Sequence, residues 1–341
     1  MAPDRGTTRF LADSGDDALP WFAGRRTFLR APLVDLDGVA PGMTVISGAP
    51  HSLRARFGER GGPQGIRDGS LPVIDRLRNA PSDGLVDVTT GQRLFWPAQH
   101  RLVDIGDLNV YPSDVMRTTE GIAGGVYEVV RRGGFSVCLG GDHYVGYPSC
   151  LGYCRAVREQ HPTARVGYIH IDGHLDFGDE VAAWGKYNHG TNARRISEID
   201  LVSPANMVWI GIQGWVAEDQ IQTIERNGGH VYTAIDVHEL GPAEVARHAG
   251  ERASAGCDSV YLSVDIDFID TGFFPATGSV INDAITPGML LEILAVLAGY
   301  PVKAMDFVEV SPRVDPTGRS TLMSTELLLG MLGPKLFTVR P

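Results

Sequence analysis

The sequence predicts an α/β fold, one large domain built on a mostly parallel sheet of about eight strands. Three observations carry this reading. Short apolar runs recur along the chain, several of them continuous rather than alternating, which is how strands buried on both faces read. Helix-like stretches separate many of them, and a strand–helix–strand rhythm implies right-handed crossovers and parallel pairing. Polar residues gather just after the runs, where open α/β sheets bind their ligands.

Taken in order, residues 1–40 read as an N-terminal arm and residues 41–341 as a single domain. The predicted strands are Met43–Ser47, Leu102–Ile105, Phe135–Leu139, Val166–Ile171, Met207–Ile212, His230–Ile235, Val260–Val264 and Val302–Phe307. Predicted helices are Thr119–Arg132, Ala217–Asn227, Ala243–Ala255 and Pro287–Ala298. The 42 glycines and 21 prolines fall mostly between apolar runs, so they read as punctuation.

Composition narrows the function. Of 341 residues, 43% are hydrophobic and 21% charged, as in an ordinary globular chain. Acidic residues outnumber basic ones 41 to 30, for a formal net charge of -11. That argues against a nucleic-acid binder, which needs Lys and Arg on phosphates, and suits a small cationic substrate. Cys138, Cys150, Cys154 and Cys257 make no C-x-x-C pair and no disulfide framework. The N-terminus lacks a signal-peptide apolar stretch, and no run approaches the roughly 18 apolar residues of a membrane span. The cytoplasm is the expected compartment, with no membrane partner.

Three motifs at strand ends carry the chemistry. His143 lies in Gly140-Gly141-Asp142-His143; Asp172, His174 and Asp176 form a D-x-H-x-D; Asp265 and Asp267 form a D-x-D. In an extended segment, residues two apart point to one side, so the first three can converge. Buried carboxylates behind apolar strands are costly without partners. Four carboxylates and two imidazoles are too oxygen-rich for a structural zinc and suit two octahedral-leaning divalent ions.

These motifs, in this order and spacing, resemble the ureohydrolase (arginase/agmatinase) family over roughly residues 43 to 310. The resemblance implies a three-layer αβα sandwich with a mostly parallel eight-stranded sheet. It implies a binuclear centre of Mn²⁺ or Ni²⁺, with His143, Asp172, Asp176 and Asp265 on one ion and Asp172, His174, Asp265 and Asp267 on the other. It further implies hydrolysis of a guanidino C–N bond by a metal-bridging hydroxide, with release of urea and an amine. Asn188-His189-Gly190-Thr191 resembles the segment whose histidine shuttles a proton, and Asp306-Phe-Val-Glu309 the one whose glutamate binds guanidinium. Asp176, His189 and Glu309 are therefore the expected catalytic residues. An oligomer is expected too, a trimer or hexamer of this chain or a mixed assembly with a paralogous subunit.

Other readings fare worse. Deacetylases of related fold use a tandem His-His, absent here, and a purely structural subunit of a mixed oligomer is expected to lose ligands, whereas none is lost. A metal-binding protein without turnover would be distinguished by a urea-release assay.

Within that family the chain resembles the agmatinase-like branch, with two departures from an agmatinase. Gly48-Ala49-Pro50-His51 replaces the usual Pro-Phe-Asp, and residues 270–287 replace the usual Asp-Pro and Pro-Glu-Pro-Gly-Gly pattern. Both fall where the substrate tail is expected. Phe273, Phe274, Val280 and Ile281, with Trp184 and Tyr187, offer an apolar wall; Asn282 and Asp283 are the polar candidates. Such a wall favours compact or alkylated guanidino compounds (guanidine, 4-guanidinobutyrate, a biguanide such as metformin) over agmatine and arginine. Agmatine remains the alternative substrate. The nickel-dependent guanidine and metformin hydrolases of the family keep the metal open.

Overall fold

The computed structural model describes residues 23–53, 57–78, 85–86, 93–95, 101–282 and 285–340. All eight predicted runs form strands of one sheet: β1 Thr44–Ala49, β2 Leu102–Asp107, β3 Phe135–Gly140, β4 Val166–Ile171, β5 Val202–Ile212, β6 His230–Thr233, β7 Ser259–Asp265 and β8 Val302–Val308. Their order is β2-β1-β3-β8-β7-β4-β5-β6, and every neighbouring pair is parallel. Strands β1, β4 and β7 are buried along their whole length, as their unbroken apolar character requires.

Side chains alternate between two cores. Ile169 and Ile171 of β4, Leu262 and Val264 of β7, and Met305 and Phe307 of β8 face one side. There they meet α1 (Gly62–Arg78), α7 (Pro242–Ser254), α8 (Pro287–Leu297) and α9 (Arg319–Leu336). Tyr168, Tyr261 and Ala304 face the other side, against α2 (Val115–Arg131), α3 (Gly146–Gln160) and α4 (Asn192–Ser197). The result is three layers, αβα. Two further helices, α5 (Glu218–Arg226) and α6 (Ala234–Leu240), flank β6.

The sixth strand is shorter than its apolar run. Thr233 accepts a hydrogen bond from the Asp236 backbone, and Asp236 reciprocates on the Thr233 N–H. This capping box starts α6, so Ala234 and Ile235 are helical. Helices α1 and α9 escape the apolar reading because glycines and prolines dot them. Gly69 allows their contact: a Cβ there would lie 2.3 Å from the Thr321 carbonyl oxygen. A small antiparallel ribbon joins Leu85–Val86, Arg93–Phe95 and Thr338–Arg340. Of the N-terminal arm, residues 1–22 lie outside the described residues, while Phe28, Leu29 and Ala31 are buried in the first core.

Register then places the chemistry. Leu139, Phe307, Val264 and Ile171 stand side by side across β3, β8, β7 and β4. There or one residue further on, all four central strands end, and each runs into one of the polar motifs. No helix among the described residues is long and apolar enough to cross a membrane.

Candidate metal centre

His143 sits at the middle of the cluster, just past β3. Its approach is fixed by backbone contacts: Asp142 N–H donates to the His51 carbonyl, and Asp142 Oδ2 accepts from the Leu53 N–H at 2.7 Å. Gly141 is obligatory here, because a Cβ would fall 1.8 Å from the His51 oxygen. His143 Nδ1 then lies 2.9 Å from Asp172 Oδ2, 3.0 Å from Asp265 Oδ2 and 3.1 Å from Asp176 Oδ2. Its other nitrogen, Nε2, is 2.9 Å from Ser263 Oγ, which donates to Asp306 Oδ1 at 2.7 Å. With the Ser263 proton committed to Asp306, His143 Nε2 is the donor, and Nδ1 is the nitrogen left to coordinate.

Asp172 links two groups of donors. Its Oδ2 faces His143 and also His170 Nε2, 2.9 Å away; its Oδ1 faces His174 Nδ1 at 3.3 Å. His174 Nδ1 lies 3.2 Å from Asp267 Oδ2 as well. Ligand atoms of His143, His170, Asp172 and Asp176 converge within 4.8 Å, and those of Asp172, His174 and Asp267 do likewise. Asp265 joins through His143, and its Oδ1 accepts from the Asp267 N–H at 2.8 Å. All six ligand residues read from the sequence are thus brought together.

The path of the chain differs from the expected one. Strand β4 stops at Ile171, and Asp176 has φ 47°, so Asp172 to Asp176 is not extended. The alternation argument therefore fails at Asp176, although the residues meet. The bend sends Asp172 and Asp176 inward to His143, while His174 keeps 48% of its side chain exposed beside Asp267. Asp176 is held by Asn192 Nδ2, which donates to Oδ2 at 2.8 Å and also to the His189 carbonyl at 3.1 Å.

The electrostatics describe a cluster short of positive charge. Burial pushes the Asp265 carboxyl well up, and the neighbouring Asp267 and Asp172 charges add to it. Burial likewise raises Asp267. Burial opposes a charged His143, yet the carboxylates of Asp172, Asp176 and Asp265 around Nδ1 hold its imidazole well above the ordinary range. The Asp267 charge, with Asp172, does the same for His174 despite partial burial.

A pair of divalent ions fits these residues. His143 Nδ1, His170 Nε2 and Asp172 Oδ2 are buried without a well-formed hydrogen bond, although each imidazole nitrogen lies 2.9 Å from the Asp172 oxygen. Adjacent donors on one octahedral ion with bonds of about 2.1 Å are separated by about 3 Å. Convergent lone pairs at that spacing are explained by cations, not by protons.

The predicted catalytic residues sit around this cluster. Glu309, at the end of β8 with φ 63°, donates its N–H to the Gly141 carbonyl and accepts from the His143 N–H through Oε1 at 3.0 Å. His189 opens a 3-10 turn capped by Asn188, with its ring 4.7 Å from that of Trp184. His189 belongs to neither ligand group. His170 was missed by the sequence reading. Its signal was an imidazole inside an apolar strand, two residues before Asp172; its ring stacks on His143 at 4.7 Å and 4°. Asn192 and Ser263 left no such signal. Cys150 and Cys154 are buried free thiols on α3.

Comparison with known proteins now decides the family. Residues 43–333 match the arginase family, a span that includes every residue of the cluster. The chain belongs to the arginase family. This arginase-family chain is 31% identical over 330 residues to a guanidinobutyrase from Pseudomonas aeruginosa, covering 93% of this chain and 94% of that one. It is also 31% identical to a mitochondrial agmatinase from Gallus gallus, covering 97% and 92% respectively. Among solved structures, proclavaminate amidinohydrolase from Streptomyces clavuligerus superposes with a TM-score of 0.76 at 29% identity, covering 92% of this chain and 98% of that one. The protein is accordingly a ureohydrolase, a hydrolase of the carbon–nitrogen bonds of guanidino compounds.

Proposed function

We propose that this enzyme works with two divalent ions, Mn²⁺ or Ni²⁺, on a compact or alkylated guanidino compound, releasing urea and an amine. The observation that carries the binuclear reading is Asp172, whose two oxygens face two different donor groups. His143, Asp172, Asp176 and Asp265 would hold one ion; Asp172, His174, Asp265 and Asp267 would hold the other. When bound, such ions supply Lewis acidity and ease the deprotonation of water.

The chain's own residues do the rest. Asp176, pinned by Asn192, orients the attacking oxygen through its carboxylate. Glu309 presents a buried carboxylate to the guanidinium, whose planar N–H fork matches it. His189, outside both ligand groups, moves a proton to the departing amine. Excess negative charge at the cluster draws a cationic substrate.

The tail preference rests on the wall beside the cluster. Ile281 packs against the ligand segment so closely that a Cβ on Gly173 would fall 2.1 Å from its Cδ1. Trp184 stands against His189. Phe274 does not contribute, being wholly buried in the core, and Phe273 and Val280 are exposed. Asn282 is exposed, and Asp283 lies outside the described residues.

The test is kcat/KM across guanidine, 4-guanidinobutyrate, metformin, agmatine and arginine, with protein loaded separately with Mn²⁺ and Ni²⁺. Compact or alkylated compounds should lead. A lead of about tenfold or more for agmatine or arginine with either metal would refute the tail reading.

A further inference from the structure

Asp306 is a buried carboxylate that the proposed reaction leaves unused, although it opens the segment that ends in Glu309. It lies within β8 and is fully buried. In the sheet register it stands opposite Ser263 of β7, which in turn stands opposite His170 of β4. Ser263 and His170 each precede a cluster carboxylate, Asp265 and Asp172, by two residues. Residues two apart on a strand face the same side. Asp306, Ser263 and His170 therefore form a polar row in an otherwise apolar sheet, directly behind the metal cluster.

Both Asp306 oxygens receive hydroxyl protons. Ser263 Oγ donates to Oδ1 at 2.7 Å, and Tyr261 OH donates to Oδ2 at 2.9 Å. Gly146, the first residue of α3, closes on the same spot: a Cβ there would lie 3.3 Å from Ser263 Oγ and 3.4 Å from Asp306 Oδ2. The carboxylate thus sits by the positive end of a helix of 15 residues, which favours an anion. A serine has one proton, and an anionic acceptor takes it in preference to a neutral imidazole. Toward His143 Nε2, 2.9 Å away, Ser263 Oγ then has only lone pairs to offer. The imidazole must put an N–H there and keep its own lone pair on Nδ1, where Asp172, Asp176 and Asp265 converge. Without the anion, the Ser263 proton is free to turn to Nε2. The neutral ring would then carry its proton on Nδ1 and be lost as a ligand.

We propose that Asp306 is a positioning residue of the metal centre, acting through Ser263 to hold His143 in the form that binds an ion. This rests on the two-ion reading and deepens it. Asp306 serves the ion held by His143, and it has no such link to the ion held through His174 and Asp267.

The experiment titrates the metal-free, full-length protein with Mn²⁺ in a calorimeter. Wild type is compared with Asp306→Asn, Ser263→Ala, the double variant and His143→Ala. Asp306→Asn keeps the shape and removes the charge that holds the Ser263 proton. Ser263→Ala cuts the same link from the other side, so the test stands even if the first variant does not fold. In either single variant one ion should bind about 10- to 100-fold more weakly, the usual worth of a group that orients a metal-bound histidine, while the other stays within about threefold. His143→Ala should lose the same ion. The double variant should lose no more than the worse single one, because both changes break one chain of hydrogen bonds. The proposal is overturned if both ions weaken alike, which would make Asp306 a structural partner, if neither changes, or if the two losses multiply. A wild type that binds two ions but hydrolyses no guanidino compound ends the reaction reading, and the titration still decides the role of Asp306. A wild type that takes up a single ion ends the two-ion reading; weakening of that ion in Asp306→Asn then supports the proposal, and an unchanged Kd overturns it.

Discussion

Replacing Asp265 by Asn should have opposite effects on the metal-free and the metal-loaded protein. In the metal-free protein, Asp265 is a buried carboxylate near Asp172 and Asp267, and burial with those charges raises its pKa, outweighing the opposing contact with His143 Nδ1 at 3.0 Å. The Asn side chain keeps the shape and still offers an oxygen to the Asp267 N–H, bonded at 2.8 Å in the wild type. Relieving a buried charge of this kind is worth on the order of 1–4 kcal/mol. For a chain of 341 residues, 1 kcal/mol moves Tm by about 1.4 °C, so metal-free Asp265→Asn should melt about 1.5–6 °C higher at pH 7. The pH sign follows from the raised pKa. Below the unfolded value, about 3.9, Asp265 is protonated in both states and contributes nothing. Its destabilisation grows as pH rises toward the folded value and is complete above it. The variant's advantage should therefore vanish near pH 4. Saturating metal inverts the ranking, since binding at a thousand times Kd stabilises wild type by about 4 kcal/mol, or about 6 °C, and the variant has lost a ligand. Calorimetric scans of both proteins, with chelator and with Mn²⁺, make the comparison. A metal-free variant that melts lower than wild type at pH 7 would refute the picture of mutually repelling carboxylates.

Elemental analysis should find close to two divalent ions per chain, with Asp172→Ala losing more metal than His174→Ala because Asp172 faces both donor groups; one zinc per chain would sink the binuclear reading. His189→Ala should keep metal and substrate binding while kcat falls about 10²–10⁴-fold, the usual worth of a general acid–base. Unchanged kinetics would remove His189 from the reaction. Glu309→Gln should damage binding and turnover together, because the guanidinium loses its charged partner; a change in kcat alone would contradict that role.

What could be read from the sequence, and what could not, divides along physical lines. Each sheet strand announced itself because burial on both faces leaves an unbroken apolar run, as in Val166–Ile171 and Val260–Val264. Helices α1 and α9 did not, because α1 needs glycine at Gly69 to meet the Thr321 backbone of α9 and at Gly65 to clear Pro312, and glycine reads as a break. The cluster residues were legible as a group because most of them follow strands directly, so strand register brings them close. His170 could have been found by the same two-residue spacing that linked Asp172 to His174. Asn192 could not, since its contact with Asp176 depends on a left-handed bend that no periodicity announces.

Backbone strain at the cluster points the same way as its charge. Among the described residues other than glycine, left-handed φ occurs at Leu29, Arg30, Asp176 and Glu309. The last two are expected catalytic residues, and such a conformation costs on the order of 1–3 kcal/mol at each. It persists only where the surroundings over-determine it. At Asp176, the carbonyl accepts from the Ala193 and Arg194 N–H groups of α4, while Asn192 holds the carboxylate. At Glu309, the N–H is tied to Gly141 and the carboxylate to the His143 N–H. Asp176 is thus fastened to α4, and Glu309 to the motif that carries His143. A straight continuation of β4 or β8 would alternate side chains across the two faces of the sheet and leave these carboxylates apart. The left-handed turns instead hold both beyond the carboxyl ends of the strands, Asp176 at His143 Nδ1 and Glu309 at the His143 N–H.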